Sequence, residues 1–357
     1  MVFVKRQYVH ETLLMLDIKI IEGAGCTEFR EYLLRCPSTL IYMEPRFLDL
    51  VCNHLDAACS WVIARREGAI TGLLPFLIKN GPLGPAYNSL AYYGSNGGVI
   101  QDKNDLVTKI ALIDTFYETA AQAKAVSATI ITNPLEGDVA FYNDHIKYDY
   151  RDERIGQITH FPASSDELFG SFDDPRPRNI RRAIKEGITI ARGGAESFQF
   201  LYQTHVDNMT AIGGIAKKKE FFDFIPTRLD DGDWAVFTAL LDGKPIAALL
   251  LLYFNRTVEY FTPVIVDKYK NTQALSLVIY EAMRDAMQKK FNNWNWGGTW
   301  PSQRGVYDFK KRWRTSEYSY FYYTRVMNRQ LTFCKPTFIL DNYPGFFLIP
   351  FDRLNNL

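Results

Sequence analysis

The 357-residue chain carries several clusters of side chains whose types and spacing suit chemistry. Arg178, Arg181 and Lys185 recur at steps of three and four, which puts three cations on one helix face. Such a face suits phosphates or carboxylates, because a guanidinium offers a planar fork of donors. A solvated face balanced by Asp173 and Asp174 is the plainer reading. Lys310 follows Phe309, beyond the glycines Gly297, Gly298 and Gly305, at a predicted helix start. Alone, it reads as a solvated lysine in the basic run from Lys310 to Arg314, and Phe309 as a core ring or one that stacks on an adenine or lines a pocket. Asp308 and Glu259 are the carboxylates placed to serve as general bases, a role that needs a pKa raised towards neutrality. His205, within a helical pattern, reads as structural. Tyr93 and Asn96, beside Gly97-Gly98, offer a ring and an amide to a sugar or peptide, or form a plain glycine turn. Lys268, Lys270, Asn271 and Thr272 sit where a strand passes into a helix, a place that offers a phosphate both charge and donors. No glycine lies there, so the backbone cannot approach a diphosphate closely. The run Lys217-Lys218-Lys219 reads as solvated, with a nucleic-acid or coenzyme A contact left open.

These residues need a scaffold, and two stretches of sequence outline it. Trp61 to Ile78 and Trp234 to Tyr253 each begin with Trp, run as a strand, turn at a glycine and leave in a longer apolar run. The turns, at Gly68 and Asp242-Gly243, predict hairpins. They lie close to half the chain apart, which suggests a duplicated domain. After the second hairpin come a predicted strand (258–266), a helix (273–290), a short strand (293–296), a helix (302–312) and a strand (317–327) with two aromatic faces. The first half has its long helix at 106–124 and a strand at 128–132. This order predicts a mixed α/β layer. The expected division is 1–160 and 161–330, with a tail, 331–357, that packs back on the body because its apolar residues are costly to expose.

Composition narrows the classes. Lys plus Arg number 41 against 40 Asp plus Glu, a formal net charge of +1, which argues against duplex DNA as a partner. No apolar run approaches the roughly 20 residues of a membrane helix, and no signal peptide is visible, so a cytoplasmic location is expected. The five cysteines contain no CxxC pair and the five histidines no HExxH, so neither a disulfide framework nor a metal site is expected.

Four motifs together carry a family resemblance. Gly297-Gly298, a loop, then Gly305-Val306-Tyr307-Asp308-Phe309-Lys310 is similar to the Gly-Gly … Gly-x-x-x-Phe-Lys signature of the FemABX family. Arg178 to Ile188 resembles that family's basic helix leading into a glycine and a strand, and Asn271 its Asn-containing helix start. Tyr92 to Gly98 resembles its aromatic-glycine substrate loop. The resemblance implies two tandem GNAT-like acyltransferase domains and transfer of an acyl or aminoacyl group to a primary amine of a cell-envelope precursor, such as a nucleotide-linked amino sugar or a muropeptide. It implies no permanently bound cofactor, with aminoacyl-tRNA or acyl-CoA as donor. It makes Lys310 the group that stabilises the oxyanion. The second half is expected to be catalytic. The first half, with Pro75 inside a hairpin strand and no Phe-Lys pair, is expected to be a degenerate copy that binds the acceptor. Two departures bear on the donor: no coiled-coil arm is visible, which counts against transfer RNA, and the glycine-free stretch at Asn271 counts against coenzyme A. A non-catalytic binding module is the third reading.

Overall fold

Both hairpin turns place two successive residues in the left-handed region: Glu67 and Gly68 at φ 50° and 83°, Asp242 and Gly243 at φ 50° and 73°. Positive φ at both central positions is what a type I′ turn requires, and its twist matches that of the strands it joins. The computed structural model describes residues 16–91 and 97–355. It divides into two compact units, Met1–Glu153 with Ser319–Leu357, and Arg154–Tyr318.

In chain order the first half runs β1 (Asp17–Glu22), α1 (Thr27–Arg35), α2 (Pro45–Leu55), β2 (Ala58–Arg66), β3 (Ala69–Lys79), β4 (Ala86–Asn88), α3 (Leu106–Gln122), β5 (Ser127–Ile131), α4 (Val139–His145) and β6 (Tyr150–His160). Two short helices follow, α5 (Ser165–Ser171) and α6 (Arg176–Lys185). The second half then repeats the pattern as β7 (Thr189–Gly193), α7 (Phe198–Ala211), α8 (Lys219–Arg228), β8 (Trp234–Leu241), β9 (Lys244–Phe254), β10 (Thr257–Ile265), α9 (Ala274–Gln288), β11 (Asn293–Thr299), α10 (Arg304–Lys311) and β12 (Ser316–Val326). Helix α11 (Pro336–Asn342) lies in the tail.

The strands of the first unit are ordered β1-β2-β3-β4-β5-β12, and those of the second β7-β8-β9-β10-β11-β6. In each, neighbours are antiparallel except one parallel pair, β4 with β5 and β10 with β11. A parallel pair needs a crossover, which α3 and α9 provide. Chain order assigns β6 to the first half and β12 to the second, but hydrogen bonding does the reverse. Residues 155–160 pair with β11, and Tyr322–Val326 pair with β5. The boundaries thus fall after Glu153 and Tyr318 rather than after residues 160 and 330, because a strand belongs with the backbone groups it satisfies.

The core of the second unit is built around β9. Strand β9 is buried from Ile246 to Phe254, the continuous apolar run of a strand covered on both faces. One face packs on Leu277, Val278, Ala282 and Met283 of α9 and on Trp294, Trp296 and Trp313. Among the described residues no helix is long and apolar enough to cross a membrane.

The residues after β12 pack on the first unit. The Tyr343 hydroxyl accepts from the Leu83 amide and donates to the Gly84 carbonyl, both at 2.9 Å. The Asn88 side chain bonds the Phe347 amide and carbonyl, each at 2.8 Å, in the manner of a strand partner. Tyr343→Phe removes two of these bonds at about 0.5–1.5 kcal/mol each. The expected result is a lower urea midpoint with an unchanged slope; an unaltered midpoint would show that the tail does not contribute to stability.

Candidate active site

Strands β10 and β11 pair for only three residues, Thr257 with Asn293, Val258 with Trp294 and Glu259 with Asn295. Both then become irregular at the same level. Phe261 is an extra residue in β10 against β9, and β11 shifts register against β6 between Asn295 and Gly298. Bulges of this kind bend a strand and increase its twist. The two strands separate, and polar side chains gather where they part.

Glu259 and Asn295 are each 1% exposed. Asn295 Nδ2 donates to Glu259 Oε1 at 3.2 Å, and Asn295 Oδ1 accepts from the Gly297 amide at 2.9 Å. Beyond them the Lys310 ammonium donates to the carbonyls of Gly297 (3.2 Å) and Gly298 (3.3 Å) and to Thr299 Oγ1 (2.8 Å). The Thr299 hydroxyl donates to Gln157 Oε1 at 3.3 Å, and Gln157 Nε2 donates to the Tyr307 carbonyl at 3.1 Å. The chain of bonds thus runs from β10 through β11 and α10 to β6. Farther along β10, the edge that β11 leaves is closed at Ile265, whose amide and carbonyl bond the Asn208 side chain at 3.0 and 2.8 Å.

Lys310 lies in the last turn of α10, not at its start, and is 6% exposed. Its three protons are already engaged, so in this geometry it ties the end of β11 to the helix. An oxyanion would have to displace one of those acceptors. Burial pushes the ammonium down to about 8, while the three acceptors favour the charged form.

Phe309 packs its ring edge against Trp296 at 6.2 Å and Trp313 at 6.4 Å, and the Arg176 guanidinium lies 4.3 Å from its centroid. These contacts account for its position without a ligand. Asp308 is exposed on α10. Arg178, Arg181 and Lys185 are exposed on α6, with Arg181 5.1 Å over Phe169. Tyr93 and Asn96 lie outside the described residues.

Lys268, Lys270, Asn271 and Thr272 belong to a tight turn, Asp267–Thr272, ahead of α9. Lys270 pairs with Asp267 at 2.5 Å, and Lys268 covers its neighbour Tyr269 at 4.9 Å. The amide of Ala274 bonds Thr272 Oγ1, and those of Ser276 and Leu277 bond the Gln273 carbonyl. These are the donors a pyrophosphate would need, and they are used within the turn.

Sequence reasoning missed Asn295, Thr299, Gln157 and Arg176. Asn295 had a signal, a polar residue alternating with Trp294 and Trp296 in a buried strand. Arg176 had another: it shares a helix face with buried Ile180 and Ala183, and its guanidinium, only 7% exposed, is lowered to about 10 by burial and then by Arg312. Thr299 had an internal one. Thr299-Trp300-Pro301 matches Thr132-Asn133-Pro134 in the first half. Farther on, Gly137-x-x-x-Phe141-Tyr142 in the first half matches Gly305-x-x-x-Phe309-Lys310 in the second, and Tyr142 and Lys310 are each the buried residue of their helix. The first unit thus has a phenol in place of the ammonium, and the Tyr142 hydroxyl accepts from the Val99 amide at 3.0 Å.

A family model described as "Acetyltransferase (GNAT) domain" matches residues 176–311, the stretch that holds the fork and Lys310. The solved structure titled "Crystal structure of FemX" superposes with a TM-score of 0.70 at 16% identity, covering 88% of this chain and 98% of that one. The chain shares the fold of that structure. A "Tandem GNAT protein from the clavulanic acid biosynthesis pathway" superposes with a TM-score of 0.50 at 9% identity, covering 87% of this chain and 99% of the other. The repeated strand order is thus a pair of GNAT-type folds. Among curated proteins, the Lipid II:glycine glycyltransferase of Staphylococcus aureus (strain MRSA252) is 26% identical over 194 residues, which cover 50% of this chain and 45% of that protein. The chain spans about half the length of the curated relatives it matches.

Two measurements check the role of Lys310. Lys310→Ala leaves two carbonyls and a hydroxyl without their donor, so it should lower stability by about 1–3 kcal/mol. Lys311→Ala, at an exposed position, should stay within about 0.5 kcal/mol of wild type. The folded state holds Lys310 at about 8 and the unfolded chain near 10.5. Between those values the unfolded chain binds more protons, so this group's contribution to stability rises with pH. Denaturation of wild type and Lys310→Met over that window should show the gap between them widening; a constant gap would mean that the ammonium keeps its ordinary pKa.

Proposed function

We propose that the second unit transfers an acyl or aminoacyl group to a primary amine of a cell-envelope precursor, an amino sugar or a muropeptide. The observation that carries this reading is the fork of β10 and β11, with Glu259 and Asn295 at its apex and Lys310 tying its far side. A buried carboxylate where the parallel pair parts supplies a base. The relative named for glycyl transfer to lipid II favours a cell-wall acceptor.

In this mechanism the acceptor ammonium gives a proton to Glu259, and the neutral amine attacks the donor carbonyl. The new C–N bond forms, the tetrahedral oxyanion collapses, and the C–O bond to the donor breaks, the leaving oxygen taking up a proton. Asn295 orients Glu259 through its amide. Lys310 acts as a positioning residue that holds the Gly297 and Gly298 carbonyls in line. Aminoacyl-tRNA is the preferred donor. Acyl-CoA is disfavoured because the turn before α9 engages its own amides and places Gln273 at φ 61° where a glycine would let a diphosphate approach. Arg178, Arg181 and Lys185 offer the acceptor's anionic groups an exposed cationic face. The first unit, with Tyr142 in place of the lysine, serves binding.

The test is an amine-acylation assay on a muropeptide and on a nucleotide-linked amino sugar, with glycyl-tRNA and acetyl-CoA supplied in parallel. Glu259→Gln keeps the shape and the bond to Asn295 but cannot take the proton, so kcat should fall by roughly 10²–10⁴ with the melting temperature held. Full activity of Glu259→Gln would remove the carboxylate from the mechanism. Calorimetric binding of coenzyme A in the low micromolar range would move the donor assignment to acyl-CoA.

A further inference from the structure

Away from the fork, in the first unit, the chain brings two cysteines together. Cys52 lies in the last turn of α2, and Cys59 is the second residue of β2. The connection between them is tight. The amides of Asp56 and Ala57 both bond the Cys52 carbonyl, and Asp56 takes φ 49° to reverse the chain. The strand therefore starts back alongside the end of the helix. Both cysteines line one cleft of about 310 Å³, with Gly23, Ala24, Asp49 and Asp56 at its walls.

We propose that Cys52 and Cys59 form a reversible intramolecular disulfide, which makes this cleft a modification site for hydroperoxides. The two thiols divide the work by their surroundings. Cys59 is 6% exposed, and its thiol is raised well above its ordinary value, first by the Cys52 thiol, then by burial and by Asp49. Cys52 is half-buried and opens on the cleft, so it meets the oxidant. The Cys52 thiolate attacks one peroxide oxygen and the O–O bond breaks. The sulfur keeps a hydroxyl as a sulfenic acid, and the other oxygen leaves as water or an alcohol. The Cys59 sulfur then displaces that hydroxyl, which departs as water with the Cys59 proton, and the S–S bond forms. Two thiols are oxidised by two electrons and one peroxide is reduced. A dithiol reductant reverses the step by exchange. The other cysteines provide internal controls: Cys36 Sγ bonds the Tyr32 carbonyl at 3.4 Å, Cys334 Sγ the Gln330 carbonyl at 3.5 Å, and Cys26 is exposed. Among the described residues no group of three or more metal-ligating side chains surrounds the pair, which favours thiol chemistry over a metal site.

The experiment treats the full chain with hydrogen peroxide, alkylates the remaining thiols after denaturation, and digests with trypsin. Both cysteines fall within one tryptic peptide, residues 47–65, with no internal Lys or Arg. The expected peptide is unalkylated and two hydrogen masses lighter, and it returns to the dialkylated form after dithiothreitol. The oxidised protein should melt above the reduced one, because the bond ties the end of α2 to β2, and Cys52→Ser should abolish that peroxide-dependent rise. A peptide alkylated at both cysteines under conditions that oxidise Cys26 would overturn the proposal. So would stable sulfinic acid at Cys52, or pairing of either residue with another cysteine. The wild-type mapping alone decides the matter if a variant fails to fold.

Discussion

The parting of β10 from β11 after three residue pairs is the constraint on which the second unit depends. Two parallel strands that separate expose backbone donors and acceptors that the sheet no longer pairs, and each unpaired group buried from water costs about 1–3 kcal/mol. The surrounding side chains are arranged to limit that cost. Asn295 caps Gly297, Lys310 gathers two carbonyls, and Asn208 stands in for a strand at Ile265. What stays open is the interval between these supports. A site of this kind is rigid at its edges because its supports lie on helices and strands, not on loops.

The aromatic layer beneath the fork gives those supports a fixed base. Trp296 lies 4.8 Å from Tyr260 and 5.6 Å from Trp313, and its indole N–H donates to Thr159 Oγ1 at 2.9 Å. Arg176 lies over Phe309 and Trp313 and donates to the Phe309 carbonyl at 3.3 Å. Helix α10 is thus held from below by rings and from above by the Lys310 tie. The Phe-Lys pair acts as two anchors of one short helix, one apolar and one charged.

The two copies of the fold show how a shared scaffold diverges. Each has the hairpin, the parallel pair and a helix after the last parallel strand. The second copy has a buried lysine in that helix and a long β10 with a bulge. The first has Tyr142 there and a β4 of three residues. The Tyr142 hydroxyl accepts from the Val99 amide within the first unit, so the position that ties β11 in one copy holds a loop amide in the other.

Much of this was legible in the residues themselves. The hairpins followed from Glu67-Gly68 and Asp242-Gly243, since local turn chemistry needs no distant partner. The long helices α3 and α9 and the buried run of β9 followed from apolar periodicity, and the glycines from Gly297 to Gly305 marked the turn between β11 and α10. The exchange of β6 and β12 was not legible, because strand pairing is decided by which distant backbone groups meet. The role of Lys310 was hidden for the same reason. A lysine in a basic run reads as solvated until the fold brings Gly297, Gly298 and Thr299 to its ammonium. Glu259 could be named as a carboxylate from its type, but its burial against Asn295 exists only once β10 and β11 lie side by side. The sequence by itself determined the elements and their duplication, because those depend on neighbours along the chain. The tertiary structure decided which strands close each sheet and which charges are buried, because those depend on contacts between residues far apart in sequence.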